Sequence, residues 1–441
     1  MWRKIGLILM LFLGGCFNDE ASLGKAPAPI IQQELKELVG IVEEATMNTL
    51  VVQNENGDLY GFDTEDIEIK SENTGIVIGN PVTVYYHGFL DDDSLNQNVE
   101  LVSIDVQDVE VDFIAEYIDQ MTLEEKVGQL FFVRCPLENA NEKLSQYHLG
   151  GYLLFVDNFK DKAKEVVIEE IVTYQNLSKI PLLVGVDEEG GLVNRVSLYF
   201  REYPFASPQE LFLNGGYELI EDDVVDKSNF LHEFGINVNF APVADISMNP
   251  YDYMYSRSFG QDASATAEYV RIVVEMMDDM KMGSVLKHFP GYGNNVDTHT
   301  GIAIDSRDYA SFVNEDFLPF QAGIYAGADM VLVSHNIVQS MDSESPASLS
   351  AEVHRILRKE LHFDGVIITD DLYMKGVRQF ASDEEVAVLA ILAGNDMLCC
   401  TDFEVQIPAV IEAVEQGVIC EERIDESLVR ILQLKNELGL L

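Results

Sequence analysis

Between Val285 and Gly301 the chain reads VLKHFPGYGNNVDTHTG, which sets an apolar run directly against Lys287, His288, Asp297 and His299. Ser284-Val285-Leu286 reads as the end of a β-strand. Pro290-Gly291-Tyr292-Gly293 fits neither helix nor ladder, so a loop is expected to follow. In an extended segment residues i and i+2 project to the same side. The Asp297 carboxylate is therefore placed to accept a hydrogen bond from one imidazole nitrogen of His299 and to turn the other towards a ligand. Imidazole, with an ordinary pKa of about 6.5, is suited to giving and then retaking a proton near neutrality. Two other readings of these residues stand beside this one. One is a metal site built from His288, Asp297 and His299, which no HExxH pattern or clustered carboxylates support. The other is a Gly-rich surface turn with scattered polar residues.

A second candidate lies in Val366-Ile367-Ile368-Thr369-Asp370-Asp371, where a hydrophobic strand delivers carboxylates at its end. A rigidly held carboxylate suits nucleophilic attack on a carbon that develops positive charge, as the anomeric carbon of a sugar does. Asp371 is expected to cap the next helix, which leaves Asp370 for the chemistry. A third segment, Asp187-Glu188-Glu189-Gly190-Gly191-Leu192-Val193-Asn194-Arg195, also follows an apolar run. Asp187 is a natural partner for vicinal hydroxyls, and Arg195 is able to clamp it or the ligand; the alternative is a plain salt bridge between the two.

Eight short apolar runs position these residues: Leu130 to Val133, Tyr152 to Val156, Leu182 to Val186, Val238 to Val243, Ser284 to Lys287, Met330 to Val333, Val366 to Thr369 and Met397 to Cys400. Amphipathic stretches such as Ala263 to Met280, Glu315 to Ala326 and Ala351 to Leu361 separate some of them. Eight strand and helix units predict an α/β fold of the (β/α)8 TIM-like barrel type, with a doubly wound open sheet as the alternative. In such a barrel the site lies at the C-terminal strand ends. Here Arg134, Asp187, Asp245, Lys287 with His288, Ser334 with His335, and Asp370 with Asp371 fall there, a set expected to converge on a polar ligand. Upstream, five short alternating runs between about residues 34 and 109 predict a small all-β, OB-like domain, with Asn54 to Asp58 as a hairpin turn.

The composition narrows the partners. Against 76 Asp and Glu there are 28 Lys and Arg, a formal net charge of -48. So negative a surface repels nucleic acid, and no nucleic-acid partner is expected. At the N-terminus, Arg3-Lys4, the apolar run Ile5 to Leu13 and Leu13-Gly14-Gly15-Cys16 resemble a bacterial lipoprotein signal, with lipid carried on Cys16; a plain signal peptide with an incidental Cys is the alternative. This implies an extracytoplasmic protein held at the cell membrane by its lipid anchor only. The expected organisation is thus a signal over 1–16, a flexible tether over 17–33, the β-domain over 34–109 and the barrel over 110–441. Cys135, Cys399, Cys400 and Cys420 show no CxxC or zinc spacing, so neither a metal nor a cofactor is expected.

Several longer motifs, in this order, resemble glycoside hydrolase family 3, and within it the β-N-acetylglucosaminidases. They are Met121-Thr122-Leu123-Glu124-Glu125-Lys126-Val127-Gly128-Gln129, Val186-Asp187-Glu188-Glu189-Gly190-Gly191, Asn239-Phe240-Ala241-Pro242-Val243-Ala244-Asp245, Arg257-Ser258-Phe259-Gly260, Lys287-His288-Phe289-Pro290-Gly291 and Thr369-Asp370-Asp371-Leu372. The resemblance implies that Asp370 is the nucleophile, His299 the general acid/base and Asp297 its orienting partner. It assigns sugar binding to Asp187, Arg195, Arg257, Lys287 and His288. The function it implies is a retaining exo-β-N-acetylglucosaminidase acting on cell-wall fragments or related glycans. A β-glucosidase-like or phosphorolytic enzyme of the family, and a non-catalytic glycan-binding lipoprotein, are the alternatives. Tyr292 stands where the family usually has His, Leu192 where it usually has Arg, and the segment from Gly293 to Asp297 is one residue short.

Overall fold

From Leu35 onward, residues that alternate between apolar and polar build a sheet with one face on a core. The strands are β1 (Leu35–Ala45), β2 (Thr49–Gln53), β3 (Leu59–Asp63), β4 (Glu68–Lys70), β5 (Pro81–His87) and β6 (Glu100–Val106). In this computed structural model the described residues are 35–46, 49–54, 57–64, 67–70, 81–90, 99–106, 113–295 and 301–441. Cys16, the expected tether over 17–33, Asp297 and His299 lie outside them. The chain divides into two units, Met1–Val111 and Asp112–Leu441.

In the first unit the strand order is β3-β2-β1-β5-β6-β4. All pairs are antiparallel except β4 with β6. The two edge strands, β3 and β4, are consecutive in the chain. Counted as two halves of one interrupted strand they return the sheet to its start, the connectivity of a small OB-like barrel. The interior is Val42, Leu50, Val52, Tyr60, Phe62, Val82, Val84, Ile104 and Val106. The ends of the hairpin turn are tied by the Asp58 amide donating to Asn54 Oδ1 at 2.9 Å. Strand β4 escaped the sequence pattern because Glu68-Ile69-Lys70 is short and mostly charged.

The second unit adds β7 (Phe131–Arg134), β8 (Gly151–Leu154), β9 (Leu183–Val186), β10 (Val238–Asn239), β11 (Gly283–Phe289), β12 (Ile304–Asp305), β13 (Met330–Val333), β14 (Ile337–Val338), β15 (Val366–Thr369) and β16 (Leu398–Cys400). Eight of them form one parallel sheet in the order β15-β13-β11-β10-β9-β8-β7-β16. A parallel bridge between Ile368 and Met397 joins its two ends. There the Met397 amide donates to Ile367 O at 3.0 Å and the Thr369 amide to Met397 O at 3.2 Å. The sheet is a barrel, not an open doubly wound sheet. Its strands are buried on both faces, which is why they read as unbroken apolar runs. The interior is filled by interlocking large and small residues: a Cβ on Gly151 would lie 2.6 Å from the Phe132 ring, and one on Gly185 2.7 Å from it.

The boundaries differ from expectation where the backbone chemistry changes. β10 stops at Asn239 because Ala241 turns its amide back to Asn239 O and Pro242 has no amide to give. β11 runs on to Phe289, pairing with Val333 across an irregularity between Lys287 and Phe289. Helix Leu123–Gln129 begins in the expected capping box, with Thr122 and Glu125 satisfying each other's amides. Helix Ala263–Asp279 is capped by Asp262, whose Oδ1 accepts the Ala265 amide at 2.9 Å. The stretch expected as a helix from Glu315 divides into a π-turn, Phe312–Asp316, and a helix, Phe317–Tyr325. That from Ala351 divides likewise at Arg355.

Candidate active site

All eight barrel strands contribute to one cavity of about 530 Å³ at their C-terminal ends: Arg134, Leu153, Asp187, Phe240, Lys287 with His288, Leu332, Asp370 with Asp371, and Cys399. Phe155, Val193, Arg195, Tyr253, Arg257, Tyr373, Met374 and Lys375 complete its wall. Its size suits a small ligand.

Its floor is a chain of buried ions. Lys287 Nζ donates to Asp187 Oδ1 at 2.8 Å and lies 2.7 Å from Glu189 Oε1. Glu189 is also gripped by Arg257, Nε to Oε2 at 3.0 Å and Nη2 to Oε1 at 2.6 Å. This is a bidentate fork of the kind that fixes both partners in a plane. Burial alone would raise the Glu189 carboxyl, but Arg257 and Lys287 hold it far below the usual carboxylate range. Burial acts on Arg257 in the opposite sense and is outweighed by Glu189, which raises it. Glu189 thus holds both cations in place on the floor of the cavity.

Asp245 fixes the next ion. Its Oδ2 accepts from His288 Nδ1 at 2.7 Å and from the His288 amide at 3.0 Å, while Oδ1 accepts the Tyr292 amide at 2.7 Å. Since a carboxylate only accepts, Nδ1 carries the hydrogen. Nε2 lies 3.5 Å from Arg257 Nη2. Asp187 faces the cavity, and its Oδ2 is 3.8 Å from Arg195 Nη2, beyond hydrogen-bond reach. The buried Nε of Arg195 has no hydrogen-bond partner among the described residues. The salt bridge that the sequence left open is thus present as a long ion pair without a hydrogen bond, and both residues line the cavity.

At the end of β15 the two adjacent carboxylates part company. The Asp370 amide donates to Val333 O at 3.0 Å, and Asp370 Oδ1 accepts the Asp371 amide at 2.8 Å. Asp371 accepts the Tyr373 amide at 3.0 Å and the Thr401 hydroxyl at 2.9 Å, so it caps a turn after the strand, where a helix was expected. Burial raises its pKa. His335 Nε2 meets the Asp371 carbonyl at 3.0 Å and must donate there; Nδ1 then accepts from the Ser348 hydroxyl at 2.7 Å. The arrangement offers a carboxylate on a rigid strand end beside fixed cations and acceptors, which suits a polyhydroxylated ligand.

Residues 122–434 match the family model described as "Glycosyl hydrolase family 3 N terminal domain". The chain belongs to glycosyl hydrolase family 3. Among its relatives, beta-hexosaminidase A of Pseudoalteromonas piscicida is 28% identical over 331 residues, covering 68% of this chain and 55% of that protein. Beta-hexosaminidase LpqI of Mycobacterium tuberculosis is 29% identical over 329 residues, covering 70% and 82%. Among solved structures, a glycoside hydrolase family 3 beta-N-acetylglucosaminidase from Paenibacillus sp. str. FPU-7 superposes with a TM-score of 0.68 at 30% identity, covering 73% of this chain and 63% of that one. The chain thus spans less than two thirds of the Pseudoalteromonas and Paenibacillus proteins.

Within this family-3 barrel, Asp187, Arg195, Arg257, Lys287, His288 and Asp370 converge on the one cavity. Asp297 and His299, expected as the acid/base pair, lie outside the described residues. Among the described residues no group of His, Cys, Asp and Glu is arranged to hold a metal ion. Not every ionisable strand-end residue faces the ligand. Asp245 is 1% exposed and His335 0%, and both are spent on holding neighbours, so their expected convergence on a ligand is corrected to a supporting role. Sequence reasoning missed Glu188 and Glu189. Glu188 accepts the amides of Arg195, Val196 and Ser197, folding the loop back so that Arg195 meets Asp187. The signal for Glu189 was present: beyond β9, Asp187 and Glu189 are i and i+2, and both reach Lys287.

Proposed function

We propose that the protein is a retaining exo-β-N-acetylglucosaminidase that removes terminal β-linked N-acetylglucosamine from cell-wall fragments or related glycans. The observation that carries this reading is the position of Asp370. It follows directly on β15, its amide held by Val333 O, in the same cavity as Asp187, Lys287, His288, Arg195 and Arg257. The names of the relatives supply the substrate class.

In this reading the sugar hydroxyls bind Asp187 and Lys287 on the floor, with Arg195, Arg257 and His288 around them. An Asp370 oxygen donates an electron pair to the anomeric carbon as the glycosidic bond breaks. The bonding pair leaves with the aglycone oxygen, which takes a proton from His299, oriented by Asp297. The sugar is then an ester of Asp370. Water, losing a proton to the His299 imidazole, attacks the same carbon and releases Asp370 as carboxylate; two inversions give net retention.

The test is release of phenol from an aryl N-acetyl-β-glucosaminide. Asp370→Ala is expected to lose at least ~10³-fold in kcat with an unchanged melting temperature, the scale on which nucleophile removal acts. Turnover near the wild-type rate by that variant sinks the reading. Product analysis with and without phosphate separates hydrolysis from phosphorolysis.

The proposal also places the enzyme outside the cytoplasm, anchored by lipid on Cys16. The sequence pattern of residues 1–16 supports this. Metabolic labelling with palmitate is expected to mark the protein, and Cys16→Ser to abolish the label. A net charge of -48 supports a glycan partner over nucleic acid.

A further inference from the structure

His335 is a titratable side chain that the reaction has no step for. It is 0% exposed and lies outside the cavity wall, so it cannot touch a sugar. Its ring nevertheless acts on the end of β15. Nε2 meets the Asp371 carbonyl at 3.0 Å, and Nδ1 meets the Ser348 hydroxyl at 2.7 Å. A carbonyl only accepts, so the hydrogen is fixed on Nε2 and the hydroxyl donates to Nδ1. The ring is itself held. Ser348 lies on the short 3-10 turn Ala347–Leu349 and is also 0% exposed. Its amide donates to Ser334 O at 3.0 Å, and its carbonyl accepts from Asn395 Nδ2 at 2.8 Å. The Ala347 amide donates to Asn336 O at 2.8 Å. Residues 334–336, which follow β13, are therefore pinned to this turn on both sides of the imidazole.

The end of β15 receives these ties. The Asp370 amide donates to Val333 O and the Leu372 amide to Cys399 O, each at 3.0 Å. Asp371 stands between them and is gripped at three points. Its amide donates to Asp370 Oδ1 at 2.8 Å. Its carbonyl accepts from His335, and its carboxylate Oδ2 accepts from the Thr401 hydroxyl at 2.9 Å. Any turn of this residue that releases the carbonyl also swings the amide. The N–H that orients the Asp370 carboxylate is thus fixed from behind by a buried imidazole. A hydrogen bond made in so dry a place is costly to leave unmade, because no water replaces the lost partner.

We infer that His335 is a positioning residue for the nucleophile: by holding the Asp371 carbonyl it sets the amide that orients the Asp370 carboxylate. This rests on the assignment of nucleophilic attack to Asp370. The consequence is specific. Attack by the carboxylate is needed whatever the leaving group, so loss of His335 slows good and poor leaving groups alike. Loss of a proton donor would instead spare the good ones. A role confined to stability would lower the melting temperature and leave the kinetics of the folded enzyme unchanged.

The experiment compares His335→Phe and His335→Gln with wild type in two measurements. The first is kcat/KM on two N-acetyl-β-glucosaminides, one with a dinitrophenyl and one with an alkyl leaving group. For His335→Phe a loss of roughly tenfold or more is expected on both, the usual scale for losing the partner that orients a functional side chain, with the two losses agreeing within about threefold. The second is the rate at which a 5-fluoro-N-acetylglucosaminyl fluoride labels Asp370, followed by protein mass. There the Asp370 oxygen bonds to the anomeric carbon and fluoride leaves with the bonding pair, without a proton. His335→Phe is expected to slow labelling by the same factor at an unchanged half-saturating concentration. His335→Gln, whose amide N–H reaches the place of the Nε2 hydrogen, is expected to recover most of both losses. A loss on the alkyl substrate only, an unchanged labelling rate, or a Gln variant no faster than the Phe variant overturns the inference. Where His335→Phe does not fold, Ser348→Ala removes the hydroxyl that fixes the ring; it is expected to show the same loss on both substrates at smaller size, and no loss overturns the inference. A wild-type protein that cleaves neither substrate and takes no label overturns the proposed function instead, so the two failures are told apart.

Discussion

Lys287 and Glu189 form an ion pair at 2.7 Å in which the two side chains are only 2% and 3% exposed. Two charges so withdrawn from water are tolerable because each has a second partner, Asp187 for Lys287 and Arg257 for Glu189. Removing one member leaves the others uncompensated. Glu189→Gln is therefore expected to cost about 3–5 kcal/mol, the usual penalty for breaking a buried pair from one side. Denaturant unfolding measures it, and a cost below ~1 kcal/mol is incompatible with the pair as described. The pH dependence has a defined sign. Arg257 and Lys287, working against burial, depress the folded pKa of Glu189. Its contribution is fully present above the ordinary carboxylate pKa and is lost as pH falls towards the lower folded value. The melting temperature of wild type should drop more steeply below pH ~4 than that of Glu189→Gln.

Asp245 receives three hydrogen bonds, two of them from backbone amides. Asp245→Asn replaces one acceptor oxygen by an NH2 group that must face a donor. It should mis-seat either His288 or the start of the loop at Tyr292. We expect kcat/KM on an aryl N-acetylglucosaminide to fall by roughly 10- to 100-fold, the usual range for losing the partner that orients a functional side chain. The loss should be carried by KM more than by kcat, because His288 is assigned to binding. A variant whose KM is unchanged would remove His288 from the set of ligand contacts.

Glu189 and Asp245 show how far the sequence could be read. Barrel strands were legible because burial on both faces leaves them mostly apolar, so ionisable residues cluster towards their C-terminal ends. Which of those side chains touches a ligand was not legible: Asp245 and Asp187 both follow strands, yet one is spent on backbone amides and the other faces the cavity. The difference lies in the path of the chain after the strand. β10 is cut short by Pro242, carrying Asp245 to His288, whereas the turn after β9 is folded back by Glu188 on the amides of residues 195–197. Such contacts join residues up to 100 positions apart, as Lys287 to Asp187, and no local pattern reports them. The π-turn at Phe312–Asp316 was hidden for a related reason: Asp316 is held by Arg307, a tertiary contact, in a stretch whose pattern fits an ordinary helix.

Asp396 is a carboxylate with a different kind of role. It is 0% exposed, and Arg430 and Ser427 meet its Oδ1 at 3.0 Å each. Arg358 and the Ile367 amide hold its Oδ2. These partners belong to the last helix, to the π-turn before β15 and to β15 itself, so Asp396 closes the barrel seam from behind. Asp396→Asn is expected to cost about 3–5 kcal/mol of stability by leaving clustered arginines without their anion. The folded fraction should keep wild-type kcat and KM. A change in KM without a change in melting temperature would contradict this purely structural assignment.

The final helix, Glu421–Glu437, also buries Lys435 completely, with Nζ donating to Gln129 Oε1 at 2.6 Å. Burial pushes its pKa down to about 7. In the unfolded chain the same amine titrates at about 10.4. Between those values the unfolded chain binds more protons than the folded one, so stability rises with pH across that window. Below about 7 both states hold the proton, and the folded protein bears a buried ammonium beside a neutral amide. The wild-type melting temperature should therefore climb between pH 7 and 9, against the fall that alkaline conditions usually bring. Lys435→Met, which keeps the length of the side chain and removes the titration, should flatten that climb and be the more stable of the two at pH 6. Parallel melting curves for wild type and Lys435→Met from pH 6 to 9 would show that the amine does not titrate in that range.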